Sequence, residues 1–186
     1  MTAAHGPRVL VTAASRHGAT HEIARALARD LAASPAGRAA GLTAVPATLE
    51  SRPDPAPYDA VVLGSAVYAG RWLEVAREYV SERAEVLRGR PVWLFSSGPI
   101  GPPPHPPDEP HDAVPVAALV RARGHRVFPG RLDPALLSVG ERAMVTAMRA
   151  PVGDVRDWAA VRAWAEQVAG ELAGEPASVG APDPRG

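Results

Sequence analysis

The stretch that decides the fold is Val9-Leu-Val-Thr-Ala-Ala-Ser-Arg-His-Gly-Ala-Thr20, where a short β-branched run is followed directly by small and polar residues. Its apolar part, residues 9–11, is continuous rather than alternating, which predicts a strand buried on both faces. Ser15 and Thr20 bring hydroxyl groups, and Gly18 allows a close approach of the backbone. The N-terminus of the following helix offers unpaired N–H groups that favour an anion. The stretch therefore predicts a strand–loop–helix turn with the chemistry of a phosphate-binding loop.

The composition excludes several classes of function. The formal net charge of the 186 residues is zero, so the chain shows no electrostatic preference for nucleic acid or for an anionic membrane surface. The absence of cysteine excludes disulfides, thiolate zinc sites and a cysteine nucleophile. The absence of lysine excludes Schiff-base chemistry and a Walker-type phosphate site. We expect a protein that does not bind nucleic acid.

The two ends of the chain carry no sign of targeting or membrane insertion. The N-terminus leads into the first predicted strand without a long apolar core, unlike a signal peptide. No apolar run has the length that a transmembrane helix needs. We therefore expect a cytoplasmic protein without a transmembrane segment. We also expect a single domain over residues 1–173 and a disordered tail over residues 174–186, which is rich in proline and glycine.

Strands alternate with helices along the rest of the chain. Strands are predicted at residues 9–11, 42–45, 59–65, 92–95 and 125–128, and helices at residues 23–34, 72–87, 114–123, 141–148 and 158–172. This alternation implies right-handed crossovers and a parallel sheet covered on both faces. Five strands fit an α/β three-layer sandwich with the doubly wound order 2-1-3-4-5. In that topology a ligand binds beyond the carboxyl ends of the strands, so we expect Ser15, Ser65 and Ser96 to lie side by side.

Three common motifs are missing at these strand ends. The chain has no G-x-S-x-G elbow, which removes support for an α/β-hydrolase nucleophile. It also lacks the G-x-G-x-x-G fingerprint of dinucleotide-binding folds. A phospho-acceptor domain needs carboxylates after the first and third strands, but Ala14 and Gly64 stand there instead. A receiver function is therefore excluded.

Residues 15–20, Ser-Arg-His-Gly-Ala-Thr, resemble the loop with which flavodoxins bind the phosphate of FMN. Residues 58–65, together with Tyr68, Gly70 and Trp72, are similar to the menaquinone-dependent, flavodoxin-like protoporphyrinogen oxidases. The C-terminal part of the domain also matches this family, at Gly130, the predicted helix at residues 141–148 and Asp157 with Trp158. The similarity covers about residues 8–173. It implies a flavodoxin-like fold, FMN as cofactor and a redox function. The chain departs most from this family between residues 99 and 110.

The resemblance assigns cofactor-binding roles to three segments. The phosphate binders would be Ser15, Arg16, His17, Gly18, Ala19 and Thr20. One side of the isoalloxazine would contact Ser65, Ala66, Val67, Tyr68, Gly70 and Trp72, and the other side Ser96, Ser97, Gly98, Pro99 and Ile100. Tyr68 and Trp72 are the best stacking candidates, because offset aromatic contacts add of order 1 kcal/mol beyond burial. Ala19 stands where an asparagine-type donor would strengthen the loop. No catalytic residue is assigned.

Simpler interpretations of these residues stay open. Residues 15–20 also fit an ordinary turn in which a hydroxyl group caps the helix. Trp72 fits a core position of its helix about as well as a flavin contact. A group of acidic residues and histidines could be drawn as a metal site, but the prolines between them favour a solvated loop and no metal is expected; these residues are His105, Asp108, Glu109, His111 and Asp112.

Three functions are compatible with such a domain. It could be an oxidoreductase that acts on a substrate such as a porphyrinogen, an electron carrier between proteins, or a domain that has lost its flavin. Carriers tend to be acidic, whereas this chain is neutral and has Arg71 in the presumed flavin loop. A cation near the ring favours the reduced, negatively charged flavin. We therefore expect an oxidoreductase whose redox partner is a quinone, a flavin reductase or another electron donor or acceptor, and a homodimer is compatible with this.

Overall fold

The computed structural model describes residues 5–98, 112–147, 149 and 152–174. The strands of its main sheet are β1 (Arg8–Ala14), β2 (Thr43–Thr48), β3 (Ala60–Tyr68), β4 (Arg71–Trp72), β5 (Val92–Ser97) and β6 (Gly124–Phe128). Five of them are parallel in the order β2-β1-β3-β5-β6, and the short β4 pairs antiparallel with β3. Counted without β4, this is the order 2-1-3-4-5. The predicted fold class is confirmed.

Helices cover both faces of the sheet. They are α1 (Ala19–Ala33), α2 (Pro35–Ala40), α3 (Glu74–Arg88), α4 (Ala113–Val120), α5 (Val139–Ala147) and α6 (Trp158–Ala173). One core layer joins α1 and α6 to the sheet, and α2 contacts α6 on the same side. A second layer joins α3 and α4 to the opposite face. The helix α5 belongs to neither layer, and none of its described residues is buried.

The residues of β1 show how one strand supplies both layers. Val9 and Val11 pack on the α1 and α6 side, whereas Leu10 packs on the α3 and α4 side. Their continuous apolar character is therefore required by two buried faces. On the first side, the Trp164 ring of α6 meets the Phe128 ring edge-to-face, with 5.6 Å between the centroids. Trp164 also meets Phe95 of β5, so α6 packs over both β5 and β6.

The segment between β1 and β3 contains a helix that the sequence analysis did not predict. The first helix ends before Ser34 and Pro35, as expected. Pro35 then begins α2, because proline is tolerated at the first helical position. The Ser34 hydroxyl accepts the Gly37 N–H at 2.9 Å and caps this second helix. Pro46 is accommodated within β2, which is an edge strand.

The loop expected at residues 66–71 is a β-hairpin. The strand β3 continues to Tyr68, and the chain turns at Ala69 and Gly70, whose φ angles are 49° and 74°. Two consecutive positive φ angles are typical of the tight turn that joins antiparallel strands. Trp72 consequently lies in β4 rather than in the first turn of α3, which corrects its predicted position.

A second, two-stranded sheet also went unpredicted. Its strands, β7 (Arg131–Leu132) and β8 (Gly153–Asp154), are antiparallel and flank the segment that contains α5. The proline-rich segment at residues 99–111, with Pro99 and Ile100, lies outside the described residues, as do residues 175–186 of the predicted tail. In the part of the chain that is described, no helix combines the length and the apolar character needed to cross a membrane.

Candidate functional site

The loop between β1 and α1 directs backbone donors toward oxygen atoms. Gly18 precedes the helix with a φ of +86°, and open space surrounds the position that a Cβ would take there. The Ser15 hydroxyl accepts the N–H groups of Gly18 at 2.9 Å and Thr20 at 3.3 Å. This is the capping contact that an ordinary turn would make. It also shows that these donors converge on one oxygen, as they would on an oxyanion.

The carboxylates of two residues from other parts of the chain contact the same loop. Glu50 accepts the Ser15 N–H at 3.1 Å, and its other oxygen lies 3.1 Å from His21 Nε2. Glu141 of α5 accepts a hydrogen bond from the Arg16 guanidinium at 2.8 Å, and the same oxygen lies 3.4 Å from His17 Nε2. The loop therefore already holds negatively charged groups, which is consistent with the positive end of the α1 dipole.

The Glu141 carboxylate is strongly held as an anion. A backbone hydrogen bond from Ser138 and a side-chain hydrogen bond from Arg16 lower its pKa from 4.5 to about 2. Only 15% of the side chain is exposed, so the carboxylate is shielded in part from water. Glu141 is therefore ionised throughout the neutral range and contributes a full negative charge to the loop.

Tyr68 brings the hairpin against the loop. The Arg16 guanidinium lies over the Tyr68 ring, 4.6 Å from its centroid, and the His17 ring meets it edge-on at 6.5 Å. Burial is the main cause of the raised pKa of the Tyr68 hydroxyl, and the charge of Glu141 adds to it. Arg16, His17 and Tyr68, which the sequence assigned to separate parts of a cofactor site, thus lie together.

Trp72 does not face an open site. Its side chain is buried in the core layer on the α3 side, and only 2% of the residue is exposed. The indole N–H donates to the Ser96 hydroxyl at 2.8 Å. In this structure Trp72 occupies the core position that the sequence analysis gave as the alternative to a flavin contact.

Ser65 and Ser96 are paired in the register of the sheet, whereas Ser15 lies one residue beyond the end of β1 and outside that register. The hydroxyl groups of Ser65 and Ser96 bind other groups of the protein. The register places Ala14 beside Ser65 and Ser65 beside Ser96. Ser65 Oγ accepts the Leu73 N–H at 3.0 Å and donates to the Ala66 carbonyl at 2.8 Å. Because Ser65 and Ser96 are fully buried, their side chains lie inside the protein. Backbone groups and the less buried residues beyond them, such as Val67, are what these strand ends offer to a ligand.

The end of β5 is shaped by two glycines. The Gly98 N–H donates to the Phe128 carbonyl at 3.0 Å, and Gly98 has a φ of +96°. A Cβ on Gly130 would lie 3.4 Å from the Gly98 nitrogen. Ser97 is buried beside this contact. The close approach of the two backbones holds the chain at the point where it leaves the sheet toward Pro99.

Asp112 fixes the hairpin to the start of α4. Its carboxylate accepts the Trp72 N–H at 3.0 Å and a hydrogen bond from Arg71 at 3.3 Å. Arg77 Nε lies 3.9 Å from the same carboxylate. Of the histidines and acidic residues considered as metal ligands, only Asp112 is described, and it serves this structural role. Within the described residues, no group of three histidine, cysteine or acidic side chains could hold a metal ion.

Comparison with known proteins identifies the family. A family model described as a flavodoxin domain matches residues 10–157. The chain belongs to this flavodoxin family. The match extends from β1 to the start of α6 and includes both the loop at residues 15–20 and the hairpin. No curated protein matches the chain in sequence.

Solved structures share the flavodoxin fold at low sequence identity. An oxidoreductase from Corynebacterium diphtheriae aligns with a TM-score of 0.60 and 14% identity over 91% of this chain and 96% of that one. A flavodoxin from the domain Archaea aligns with a TM-score of 0.57 and 10% identity over 89% and 98%. A flavodoxin from Streptococcus pneumoniae TIGR4 gives a TM-score of 0.53 and 18% identity over 89% and 97%. At these identities the likeness establishes the fold.

Membership in the flavodoxin family indicates FMN as the cofactor. The residues of this chain fit a flavin phosphate in their chemistry, because loop N–H groups converge on an oxygen and Arg16 with His17 binds a carboxylate. Two carboxylates of the protein itself, however, already contact this loop. Glu50 already accepts the Ser15 N–H, and Glu141 already accepts a hydrogen bond from Arg16. Neither residue was predicted, because no local motif marks contacts between positions that are 35 residues apart, as for Ser15 and Glu50, or 125 residues apart, as for Arg16 and Glu141.

Proposed function

We propose that this chain is an FMN-dependent redox protein in which residues 15–20 bind the phosphate of the flavin. The observation that supports this most directly is the convergence of the Gly18 and Thr20 N–H groups on a single oxygen at the start of α1. Arg16 and His17 add side chains that bind an anionic oxygen. Ala19 contributes only backbone, so the affinity rests on these donors and on the Thr20 hydroxyl.

The hairpin and the end of β5 would form the two sides of the flavin ring site. Tyr68 is the aromatic residue best suited to contact the ring, since its side chain is only partly buried at the tip of β3. Val67 and Gly70 lie on the same hairpin, and Ser97 with Gly98 lies at the end of β5. When bound, FMN would supply the capacity to accept and release electrons. The protein residues hold the phosphate, orient the ring and exclude water from its buried edge.

An oxidoreductase with its own substrate is favoured over an electron carrier. The zero net charge of the chain lacks the acidic bias that steers a carrier to basic partners. Arg71 is exposed on the hairpin, although Asp112 offsets part of its charge. The similarity of residues 58–65, with Tyr68, Gly70 and Trp72, to the menaquinone-dependent protoporphyrinogen oxidases supports a porphyrinogen as donor and a quinone as acceptor.

Absorption spectroscopy of the purified protein, before and after addition of FMN, tests the cofactor assignment. Two visible flavin bands that stay with the protein through gel filtration are the expected result. If no flavin band elutes with the protein even after incubation with excess FMN, this chain is a flavodoxin-like domain that has lost its flavin.

Redox titration and turnover assays then separate the enzyme from the carrier. A quinone-reducing oxidoreductase should oxidise a porphyrinogen when a menaquinone analogue is present. A reduction potential far below that of menaquinone, combined with turnover only through a ferredoxin-dependent partner, would identify a carrier instead.

A further inference from the structure

The helix α5 is attached to the candidate site mainly through one carboxylate. None of its described residues is buried, and Val139 is 84% exposed at its start. The segment around it is closed at its base by the antiparallel pair of β7 and β8. Glu141 reaches from this exposed helix to the loop between β1 and α1. A substitution of Glu141 would therefore affect both α5 and the loop between β1 and α1.

The two oxygens of Glu141 have different partners. One oxygen accepts the Ser138 N–H at 2.8 Å, while the Ser138 hydroxyl accepts the Glu141 N–H at 3.3 Å. This reciprocal pair is a capping box, S-x-x-E, at the start of α5. The other oxygen binds Arg16 at 2.8 Å and lies 3.4 Å from His17. Capping α5 and holding the loop thus depend on the same carboxylate.

Arg16 and His17 are the side chains that the proposed function assigns to the flavin phosphate. In the structure both are engaged by Glu141, and Arg16 also packs over Tyr68. A phosphate carries up to two negative charges at neutral pH and would share Arg16 and His17 with an ionised carboxylate. Like charges in one partly buried site repel each other, so the two anions oppose each other's binding.

We propose that Glu141 is a built-in competitor for the flavin phosphate, and that α5 acts as a latch which the phosphate displaces from the loop. This inference rests on the proposed function, because it concerns the ligand of the same loop. When no flavin is bound, the carboxylate takes the place of the phosphate beside Arg16 and His17. Its release on binding lowers the affinity for FMN, and it frees α5 to change its position.

Titration of the flavin-free protein with FMN and with riboflavin, followed by flavin fluorescence, tests the latch. Glu141→Gln removes the charge but keeps a side chain that completes a capping box, so α5 should stay folded. The affinity for FMN should rise by about tenfold or more, the usual effect of one charge-assisted hydrogen bond. The affinity for riboflavin, which has the same ring without the phosphate, should change by less than about twofold. Glu166→Gln on the exposed face of α6 is the control for net charge.

Hydrogen exchange provides a readout that does not depend on affinity. Addition of FMN to the unmodified protein should speed amide exchange in residues 139–147, whereas riboflavin should leave it unchanged. A melting curve of each variant by circular dichroism confirms that it is folded, and Glu141→Ala provides a second variant that lacks the charge.

The outcomes separate the latch from the proposed function. If no variant binds FMN, the proposed function fails and the latch fails with it. If FMN binds with equal affinity to the unmodified protein and to both Glu141 variants, only the latch is overturned. A weaker affinity in Glu141→Gln would show that Glu141 supports the phosphate site by positioning Arg16, which also overturns the latch.

Discussion

At Gly18 the backbone has a φ of +86°, and no atom lies within 4 Å of the place where a Cβ would be added. An aspartate tolerates this conformation better than most residues, so Gly18→Asp should fold. Its carboxylate would stand beside donors that converge on an oxygen, and repulsion should abolish FMN binding. Fluorescence titration measures the affinity, and Gly18→Asn, which has the same shape without the charge, should retain most of it. Unchanged affinity in Gly18→Asp would remove the phosphate assignment of the loop.

The Thr20 hydroxyl is a second group in this loop whose contribution to phosphate binding can be tested. Thr20 lies in the first turn of α1 and only 2% of it is exposed. If its hydroxyl donates to the phosphate, Thr20→Ala should weaken FMN binding by about 1 to 3 kcal/mol, the usual range for a hydrogen bond to a charged group. Thr20→Ser should restore most of this loss. A loss within experimental error would mean that backbone N–H groups bind the phosphate alone.

At the scale of the element, the β3–β4 hairpin is held by buried polar contacts rather than by its own short pairing. The Trp72 indole donates to Ser96, and the Trp72 backbone donates to Asp112. Trp72→Phe removes the first contact and should lower the free energy of unfolding by about 1 to 3 kcal/mol. Urea denaturation measures this, and a double-mutant cycle with Ser96→Ala isolates the hydrogen bond. Additive effects of the two substitutions would mean that the contact contributes nothing.

Element positions were predictable where one local rule decided them. The apolar run at residues 9–11 predicted β1, and α6 begins after an aspartate, Asp157, whose side chain accepts the Ala160 N–H at 2.9 Å. The predictions of element positions failed where the same residue is compatible with two different local structures. Pro35 ends one helix and also begins another. The turn at residues 69 and 70 places an alanine at positive φ, so no asparagine–glycine pair marks it as a hairpin.

At the scale of the whole molecule, the topology brings together several strand ends. Their positions were predictable from the sequence, but the directions of their side chains were not. The alternation of strands and helices is compatible with the observed order of the strands, which places the ends of β1, β3 and β5 at one edge. Which side chains turn inward depends on packing between layers, and this is why the sequence could not distinguish the two environments considered for Trp72. The contact of Glu141 with Arg16 links distant segments through tertiary structure alone. No spacing in the sequence encodes it.

The Tyr79 hydroxyl joins two distant parts of the molecule, because it donates to the Pro53 carbonyl at 2.7 Å and ties α3 to the connection before β3. Burial is the main reason why the pKa of the Tyr79 hydroxyl is raised from 10.0 to about 12. A raised pKa means that the folded state holds this proton more tightly than the unfolded state. The resulting stabilisation is present below pH 10 and is lost as the pH rises from about 10 to about 12.

Tyr79→Phe isolates this effect, because the other tyrosines and the arginines titrate equally in both proteins. At pH 8 the variant should be less stable by about 1 kcal/mol, the typical contribution of one hydrogen bond. Urea denaturation between pH 8 and pH 12 should show the difference in unfolding free energy shrinking as the pH rises, since only the unmodified protein must ionise a buried hydroxyl. A difference that stays constant across this range would show that Tyr79 titrates normally and that its hydrogen bond to Pro53 does not hold the proton.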